Sequence, residues 1–162
     1  MYESLHAAFN HWPTESGENG CVIWGGNRSG YAPGQYGKLN YGGKRLFAHR
    51  AAYELKHGPI PEGMRVDHLC HVRLCVNPDH LRLATQKQNQ EHRKDANYNS
   101  LTGSRGITFD KGRSKYRVRV KHNYKEIHVG RFDTLEEAEA AATKARRQLF
   151  THSDKDQEKS PV

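Results

Sequence analysis

The stretch of sequence that decides the fold runs from Asp67 to His80 and reads DHLCHVRLCVNPDH. Cys70, Cys75 and His80 are metal-ligating residue types, and with Cys21 they would complete a tetrahedral zinc site of three cysteines and one histidine. The cysteines could instead be buried thiols, a common environment for this residue type. Because the stretch has few apolar side chains, we expect a metal to stabilise it where a core cannot.

Short strands and two helices are predicted around this stretch. Glycine-rich residues 12–45 indicate hairpins, and the period of apolar residues predicts a helix over Leu46–His57 that ends at Gly58-Pro59. The remaining elements expected in this half are strands over 64–68 and 81–84 and a helix over 85–96.

Several spacings at once resemble the His-Cys box of homing endonucleases, a branch of the HNH or ββα-metal nuclease superfamily. The shared pattern is His68-Leu-Cys70-His-(x3)-Cys75-x-Asn77-Pro78-x-His80-Leu81, followed by Asn89, and the resemblance covers residues 20–95. It implies that His68 is the general base and that Asn89 binds a catalytic Mg2+ or another divalent ion. It also implies a structural zinc ion on Cys70, Cys75, His80 and Cys21.

Asp67 departs from the His-Cys box, which has a small hydroxyl residue at this position, whereas the wider HNH family has an aspartate there as a second metal ligand. We therefore expect Asp67 and Asn89 to bind Mg2+ together, since this hard cation prefers oxygen ligands. A neutral imidazole has an ordinary pKa of about 6.5 and accepts a proton from water at physiological pH, which suits His68. The resemblance also implies a basic side chain that holds the phosphate, and it points to Lys38, with Arg28 and Arg45 as alternatives.

The C-terminal part alternates apolar and polar residues over 106–109, 115–121 and 126–129, the pattern of half-buried strands. Thr134 and Glu137 form a capping-box pattern that begins an alanine-rich helix extending to about Phe150. We expect a small three-stranded antiparallel sheet whose apolar face is covered by this helix. Tyr116 and Phe109 are expected in its core, and the other face then carries a row of basic side chains.

This part resembles the AP2/ERF-type DNA-binding domain over residues 103–150, through Ser104-Arg105-Gly106-Ile107, Lys115–Val120 and Val129–Thr134. The resemblance implies that the sheet contacts the major groove of DNA. The residues implied at that surface are Arg105, Thr108, Arg117, Arg119, Lys121 and His128.

Composition agrees with a nucleic-acid partner. The 162 residues carry a net charge of +8, and residues 99–152 hold 12 basic against 6 acidic side chains. With a mean hydropathy of −0.97, the longest apolar runs fall far short of the roughly 20 residues that a membrane span needs, which excludes a transmembrane protein. Neither a secretory signal nor an even cysteine count is present, so we expect the protein inside a cell, in the cytoplasm of a bacterial host if it is phage-borne.

The sequence therefore predicts an α+β protein, a zinc-stapled ββα-metal nuclease module followed by the small sheet and its helix. The predicted parts are a nuclease domain (1–96), a linker (97–104), an AP2-like domain (105–150) and a disordered tail (151–162). The predicted function is a homing-endonuclease-like enzyme that hydrolyses double-stranded DNA, nicking as a monomer or cutting both strands as a homodimer. The alternative is a non-catalytic zinc-containing DNA-binding regulator.

Overall fold

The computed structural model describes residues 2–30, 35–93, 96 and 99–151. They form short helices and four small antiparallel sheets, an α+β composition, in two compact units that divide between Gln86 and Lys87. This division comes earlier in the chain than the predicted linker 97–104. The predicted disordered tail lies outside the described residues beyond Thr151. No helix in the described ranges is long and apolar enough to span a membrane.

The first unit consists of short elements around one core. In chain order they are α1 (Leu5–Asn10), β1 (Thr14–Ser16), β2 (Val22–Trp24), β3 (Arg28–Ser29), β4 (Tyr36–Tyr41), β5 (Lys44–Phe47), α2 (Ala48–His57), β6 (Arg65–His68) and β7 (Leu81–Ala84). The sheets are β1-β2, β3-β4-β5 and β6-β7. Helix α1 was not predicted, and its Ala8 is fully buried.

Helix α2 begins at Ala48, later than the predicted Leu46. Leu46 and Phe47 belong instead to β5, because Gly42 and Gly43, with φ of 58° and 72°, turn the chain back along β4. Helix α2 ends at Gly58, as predicted, where φ is 87°. Its alanines pack closely on the core of this unit, whose largest fully buried side chains are Trp24, Leu39 and Cys75.

Helix α3 (Gln86–Glu91) is shorter than the predicted helix over 85–96. The Arg105 guanidinium donates to the carbonyl oxygens of Gln90 and Glu91 at 2.8 and 2.9 Å, and also to that of Arg93. These carbonyls lie at the end of the helix, where no further helical turn satisfies them. Because the units divide after Gln86, all residues of α3 except this first one belong to the second unit.

The second unit is a sheet with one long helix. Strands β8 (Ile107–Asp110), β9 (Lys115–His122) and β10 (Lys125–Phe132) pair in the order β10-β9-β8, and α4 (Leu135–Leu149) packs on one face. The predicted capping box is present, with Thr134 and Glu137 each bonding the other's main-chain N–H. The buried core consists of Ile107, Val118, Ala138 and Ala142.

Candidate functional site

The predicted zinc ligands converge from three parts of the first unit. Cys21 precedes β2, Cys70 and Cys75 lie in the segment after β6, and His80 ends a short 3-10 helix over Pro78–His80. Their ligand atoms all lie within 4.8 Å of one another. Cys21 was the least constrained of these residues in the sequence, because its distance from the others is a loop length and not part of the motif.

The separations fit a tetrahedral zinc ion. The Nδ1 atom of His80 lies 3.5 Å from Sγ of Cys21 and 3.6 Å from Sγ of Cys75. Zinc bonds of about 2.3 Å to sulfur and about 2.0 Å to nitrogen hold such a pair about 3.5 Å apart. The three sulfurs and one nitrogen are therefore compatible with a closed structural zinc site, with His80 binding through Nδ1.

Burial keeps two of the cluster's thiols neutral when no metal is bound. Burial, reinforced by the neighbouring thiols, raises the pKa of Cys21 to about 12, and burial also raises the pKa of Cys70. Without a metal, Cys21 and Cys70 therefore stay protonated at neutral pH. A zinc ion reverses this preference because it binds thiolates.

Asn77 holds the two halves of the cluster together. Its Nδ2 donates to the carbonyl of Gly20 at 2.8 Å, and its Oδ1 accepts from the main-chain N–H of Asp79 at 3.1 Å. The first bond fixes the chain next to Cys21, and the second caps the 3-10 helix that presents His80. The motif asparagine therefore positions ligands without itself being one.

His68 is buried at the end of β6, and its orientation is set by the cluster. Its Nε2 lies 3.1 Å from the carbonyl oxygen of Cys75, so Nε2 carries the proton and donates it. In this tautomer Nδ1 is the basic nitrogen. Cys75 thus contributes its Sγ atom to the candidate metal cluster and its carbonyl oxygen to the predicted general base.

His68 belongs to an aromatic cluster with Tyr36, Phe47 and His49. The rings of His49 and His68 lie 4.8 Å apart, and Tyr36 lies 5.3 Å from His49 and 6.3 Å from His68. Burial lowers the pKa of His49 to about 3, with His68 and Arg50 adding smaller effects in the same direction. His49 is therefore a neutral ring at neutral pH.

Gly37 shows which face of β4 is the core face. A Cβ atom on Gly37 would lie 2.5 Å from Cδ1 of Trp24 and 2.9 Å from Cβ of Ala48, two fully buried residues. Successive residues of a strand point to opposite faces, so Lys38 lies on the other face, the one that carries Tyr36.

Strand register separates the three cations that were predicted to hold the phosphate. Arg45 pairs with Asn40, and the pair shares the face of Lys38. Arg28 pairs with Gly37 and therefore belongs to the opposite, core face at the edge of the sheet. Lys38 and Arg45 share a face with Tyr36, and Arg28 does not.

Arg73 is a further cation beside the aromatic cluster. Its Cζ lies 5.7 Å from the ring centroid of Tyr36, and its side chain is exposed. Arg73 matches no position of the motif, although it lies between Cys70 and Cys75. Its contact with Tyr36 joins residues that are far apart in the sequence, so no local pattern predicts it.

The structure places the two predicted Mg2+ ligands in different surroundings. Asp67 is buried, and its Oδ2 accepts from Nε of Arg82 at 3.2 Å across the β6-β7 pair. Asn89 lies on α3 and is half-buried. Their joint role as Mg2+ ligands stays a prediction.

The outer face of the second unit's sheet carries the predicted basic row. Arg117 pairs with Thr108 and Arg131, Arg119 pairs with His128, and Lys121 pairs with Glu126, all on the face opposite Val118 and Val120. A register shift between His128 and Gly130 keeps Arg131 on this face. The Arg119 side chain also forms an ion pair with Glu126. This set is called the outer row below: Thr108, Arg117, Arg119, Lys121, Glu126, His128 and Arg131.

Arg105, Phe109 and His92 have surroundings that the sequence did not predict. Arg105 holds the end of α3 and lies over the ring of Phe150, at 5.3 Å, so it is not part of the outer row. Phe109, expected in the core, is 45% exposed because it lies at the open end of the sheet. His92 is buried next to the end of α3.

Comparison with known proteins identifies the region that holds this site. Residues 46–91 match the model of the HNH endonuclease family. The chain is 39% identical over 71 residues to Protein 7.7 of Escherichia phage T7, a match that covers 44% of this chain and 52% of that protein. It is 40% identical over 62 residues to the uncharacterized gene 5.3 protein of Enterobacteria phage T3, covering 38% and 61% respectively.

The chain thus spans between half and two thirds of the length of these two relatives. No solved structure matches the chain significantly. His68, Cys70, Cys75 and His80 all fall inside the matched region. The chain therefore carries, at residues 46–91, a segment that matches the HNH endonuclease family. This segment holds His68 and three of the four residues of the candidate metal cluster, Cys70, Cys75 and His80.

Proposed function

We propose that this protein is a metal-dependent DNA endonuclease of the HNH type that hydrolyses phosphodiester bonds. One observation carries the proposal: within the HNH match, the Cys75 carbonyl holds Nε2 of His68 and so makes Nδ1 the basic nitrogen. The bond leaves the nitrogen that a general base needs as the basic one.

His68 acts as the general base. Its Nδ1 accepts the proton of the attacking water, and the imidazolium that forms is held by the Cys75 carbonyl on its other side. His49 packs against this ring and stays neutral, so it adds no positive charge that would oppose the protonation of His68.

Asp67 and Asn89 are the proposed ligands of a catalytic Mg2+ or similar divalent ion. Their carboxylate and amide oxygens are the donor types that this ion prefers. When bound, the ion polarises the scissile phosphate and stabilises the charge on the leaving oxygen. Arg82 donates to Oδ2 of Asp67 and helps to orient this carboxylate.

Lys38 and Arg73 are the proposed phosphate contacts. Both lie beside Tyr36, the residue whose ring also approaches His68, whereas Arg28 belongs to the core face of its sheet. Arg73 suits this role because a guanidinium can donate two parallel hydrogen bonds to phosphate oxygens.

Double-stranded DNA is the proposed substrate, and the outer row is the proposed reading surface. Arginines on a two- or three-stranded sheet can contact guanine in the major groove. We further propose a homing-endonuclease-like activity inside a bacterial host, in keeping with the phage relatives. One such site in a monomer cuts one strand, so nicking is expected unless two copies act together.

The experiment that tests this function is a supercoiled-plasmid assay at low salt with Mg2+ and zinc-loaded protein, because low salt strengthens non-specific DNA binding. Wild type should convert the plasmid to the open-circular form, and a linear product would indicate paired cuts. His68→Ala should lower the rate about 100- to 10,000-fold while keeping zinc content and DNA affinity. His71→Ala, the adjacent histidine outside the proposed chemistry, is the matched control.

If wild type binds DNA and zinc but cuts neither this plasmid nor a genomic library of phage DNA, the endonuclease proposal fails. The DNA-binding regulator is then the better description. Loss of cutting in His71→Ala as well as His68→Ala would instead argue against a specific role for the His68 imidazole.

A further inference from the structure

The tip of the β9-β10 hairpin contains an unusual residue. Asn123 and Tyr124 form its two-residue turn, with φ of 48° and 63°. Such turns need positive φ at both central positions, and asparagine followed by glycine is the favoured pair. Asparagine suits the first position here, but the second holds tyrosine, whose Cβ atom is strained in this conformation.

Burial does not compensate for this strain. The Tyr124 side chain is 87% exposed, so it gains almost nothing from burial. Within the described ranges its ring stacks on no other aromatic ring. A bulky residue kept in a strained and exposed position is best explained by a contact with a partner.

The surroundings of the tip indicate the chemistry of that partner. Tyr124 lies at the rim of a cavity of about 320 Å3 that is formed within the second unit. Glu91 is the only acidic side chain among its lining residues, and four are basic: Lys87, Arg93, Arg105 and Lys121. Lys125, the next residue after the tip, is also exposed. This environment attracts phosphates and disfavours a basic or apolar partner.

We propose that Tyr124 stacks on a nucleobase of bound DNA while Lys121 and Lys125 contact the flanking phosphates. An aromatic ring beside basic residues is the usual arrangement for base stacking, which tolerates any base sequence. Stacking on a base step in duplex DNA inserts a side chain between neighbouring bases and locally unstacks them. This inference rests on the proposed function only for the identity of the ligand as DNA.

The decisive variant is Tyr124→Gly, which relieves the turn strain and removes the ring. It should raise the thermal unfolding midpoint and yet weaken binding to a fluorescein-labelled 30-base-pair duplex about tenfold or more, measured by anisotropy at low salt. Tyr124→Phe keeps the ring and should bind within about twofold of wild type. Tyr124→Asn, which also tolerates positive φ, repeats the test with a different side chain.

Ser114→Gly is the matched control. Ser114 also has positive φ, 49°, in the turn between β8 and β9, so glycine relieves strain there without touching the aromatic ring. It should stabilise the protein and leave DNA affinity unchanged. Because stacking is not electrostatic, Tyr124→Gly should keep the salt dependence of wild type, whereas Lys121→Ala should reduce it.

Wild-type affinity in Tyr124→Gly and Tyr124→Asn would overturn the inference while leaving the endonuclease proposal intact. Equal losses in Tyr124→Phe and Tyr124→Gly would also overturn it, because the hydroxyl group would then make the contact. If wild type itself failed to bind any duplex, both this inference and the proposed function would fall together.

Discussion

Two atoms of Cys75 connect the candidate metal cluster to His68, the proposed general base. Its Sγ lies among the ligand atoms, and its carbonyl oxygen accepts from His68. Partners that orient a reactive group are needed for activity almost as much as the group itself. Zinc binding and the orientation of the general base are therefore expected to change together when the cluster is disturbed.

Asn77 offers a test of this connection that leaves every ligand in place. Asn77→Ala removes the bond to Gly20 and the cap on Asp79, so we expect zinc affinity to fall about 10- to 100-fold. Competition with a chromophoric chelator measures this change. Asn77→Asp keeps the capping oxygen but loses the Nδ2 donor, so its zinc affinity should lie between those of wild type and Asn77→Ala. Equal affinity in wild type and Asn77→Ala would contradict the positioning role.

His49 makes the stability of the first unit depend on pH. Its pKa is about 3 in the folded chain and 6.5 ordinarily. Between these values the unfolded chain binds a proton that the folded chain does not, so the free energy of unfolding decreases as the pH falls. The contribution is complete above pH 6.5, and we expect a loss of roughly 2–4 kcal/mol by pH 4.

Urea unfolding of zinc-saturated protein across this range measures the effect. In His49→Leu the free energy of unfolding should depend less steeply on pH than in wild type, by a slope that corresponds to at most one proton bound on unfolding. His6→Gln, which changes an exposed histidine, should leave this slope unaltered. Identical curves for wild type and His49→Leu would mean that the buried ring is protonated in the folded chain.

At the scale of elements, α4 depends on its first turn. Thr134 and Glu137 satisfy two main-chain donors at the beginning of the helix, and two acidic residues there interact favourably with the helix dipole. The face toward the sheet consists of small residues, Ala138 and Ala142. They let the helix approach Val118 closely, but they bury little apolar area themselves. A helix with so little apolar area to bury is sensitive to its cap.

Thr134→Ala should therefore destabilise the second unit by about 1 kcal/mol, seen as a lower midpoint in chemical unfolding. Glu137→Gln keeps a side chain that can still bond the Thr134 N–H, so its loss should be smaller. A larger effect in Glu137→Gln than in Thr134→Ala would show that charge, and not the hydrogen bonds, stabilises this end of the helix.

At the scale of the whole molecule, two separate cores differ in what stabilises them. The first contains the cluster of Cys21, Cys70, Cys75 and His80, whose connecting segment contributes little apolar burial. The second is built from a regular sheet and helix with no such cluster among its described residues. Metal removal should therefore act on the first unit far more than on the second.

Hydrogen–deuterium exchange before and after chelation tests this difference. We expect protection to be lost in β2, in residues 69–80 and around His68, while β9 and α4 keep theirs. Adding zinc back should restore the original pattern, which separates metal loss from irreversible damage. Uniform loss of protection in both units would contradict independent stabilisation.

Local patterns in the sequence determined much of the second unit. Strands β8, β9 and β10 and helix α4 follow from period-two alternation and from a capping box, because these signals arise between residues close in the chain. Cys70, Cys75 and His80 of the candidate metal cluster were predictable for a related reason, because cysteine and histidine at motif spacing carry their chemistry with them, whereas Cys21 stands outside the motif.

Tertiary structure alone decided what those side chains do to one another. The Cys75 carbonyl on His68, the neutral His49 against its ring and Arg73 over Tyr36 all join residues that no local pattern connects. Arg105 is the sharpest case, since a basic residue in a DNA-binding pattern instead holds the end of α3. A sequence reports residue type and spacing, whereas burial, tautomer and the partner of each charge are set only when distant segments pack together.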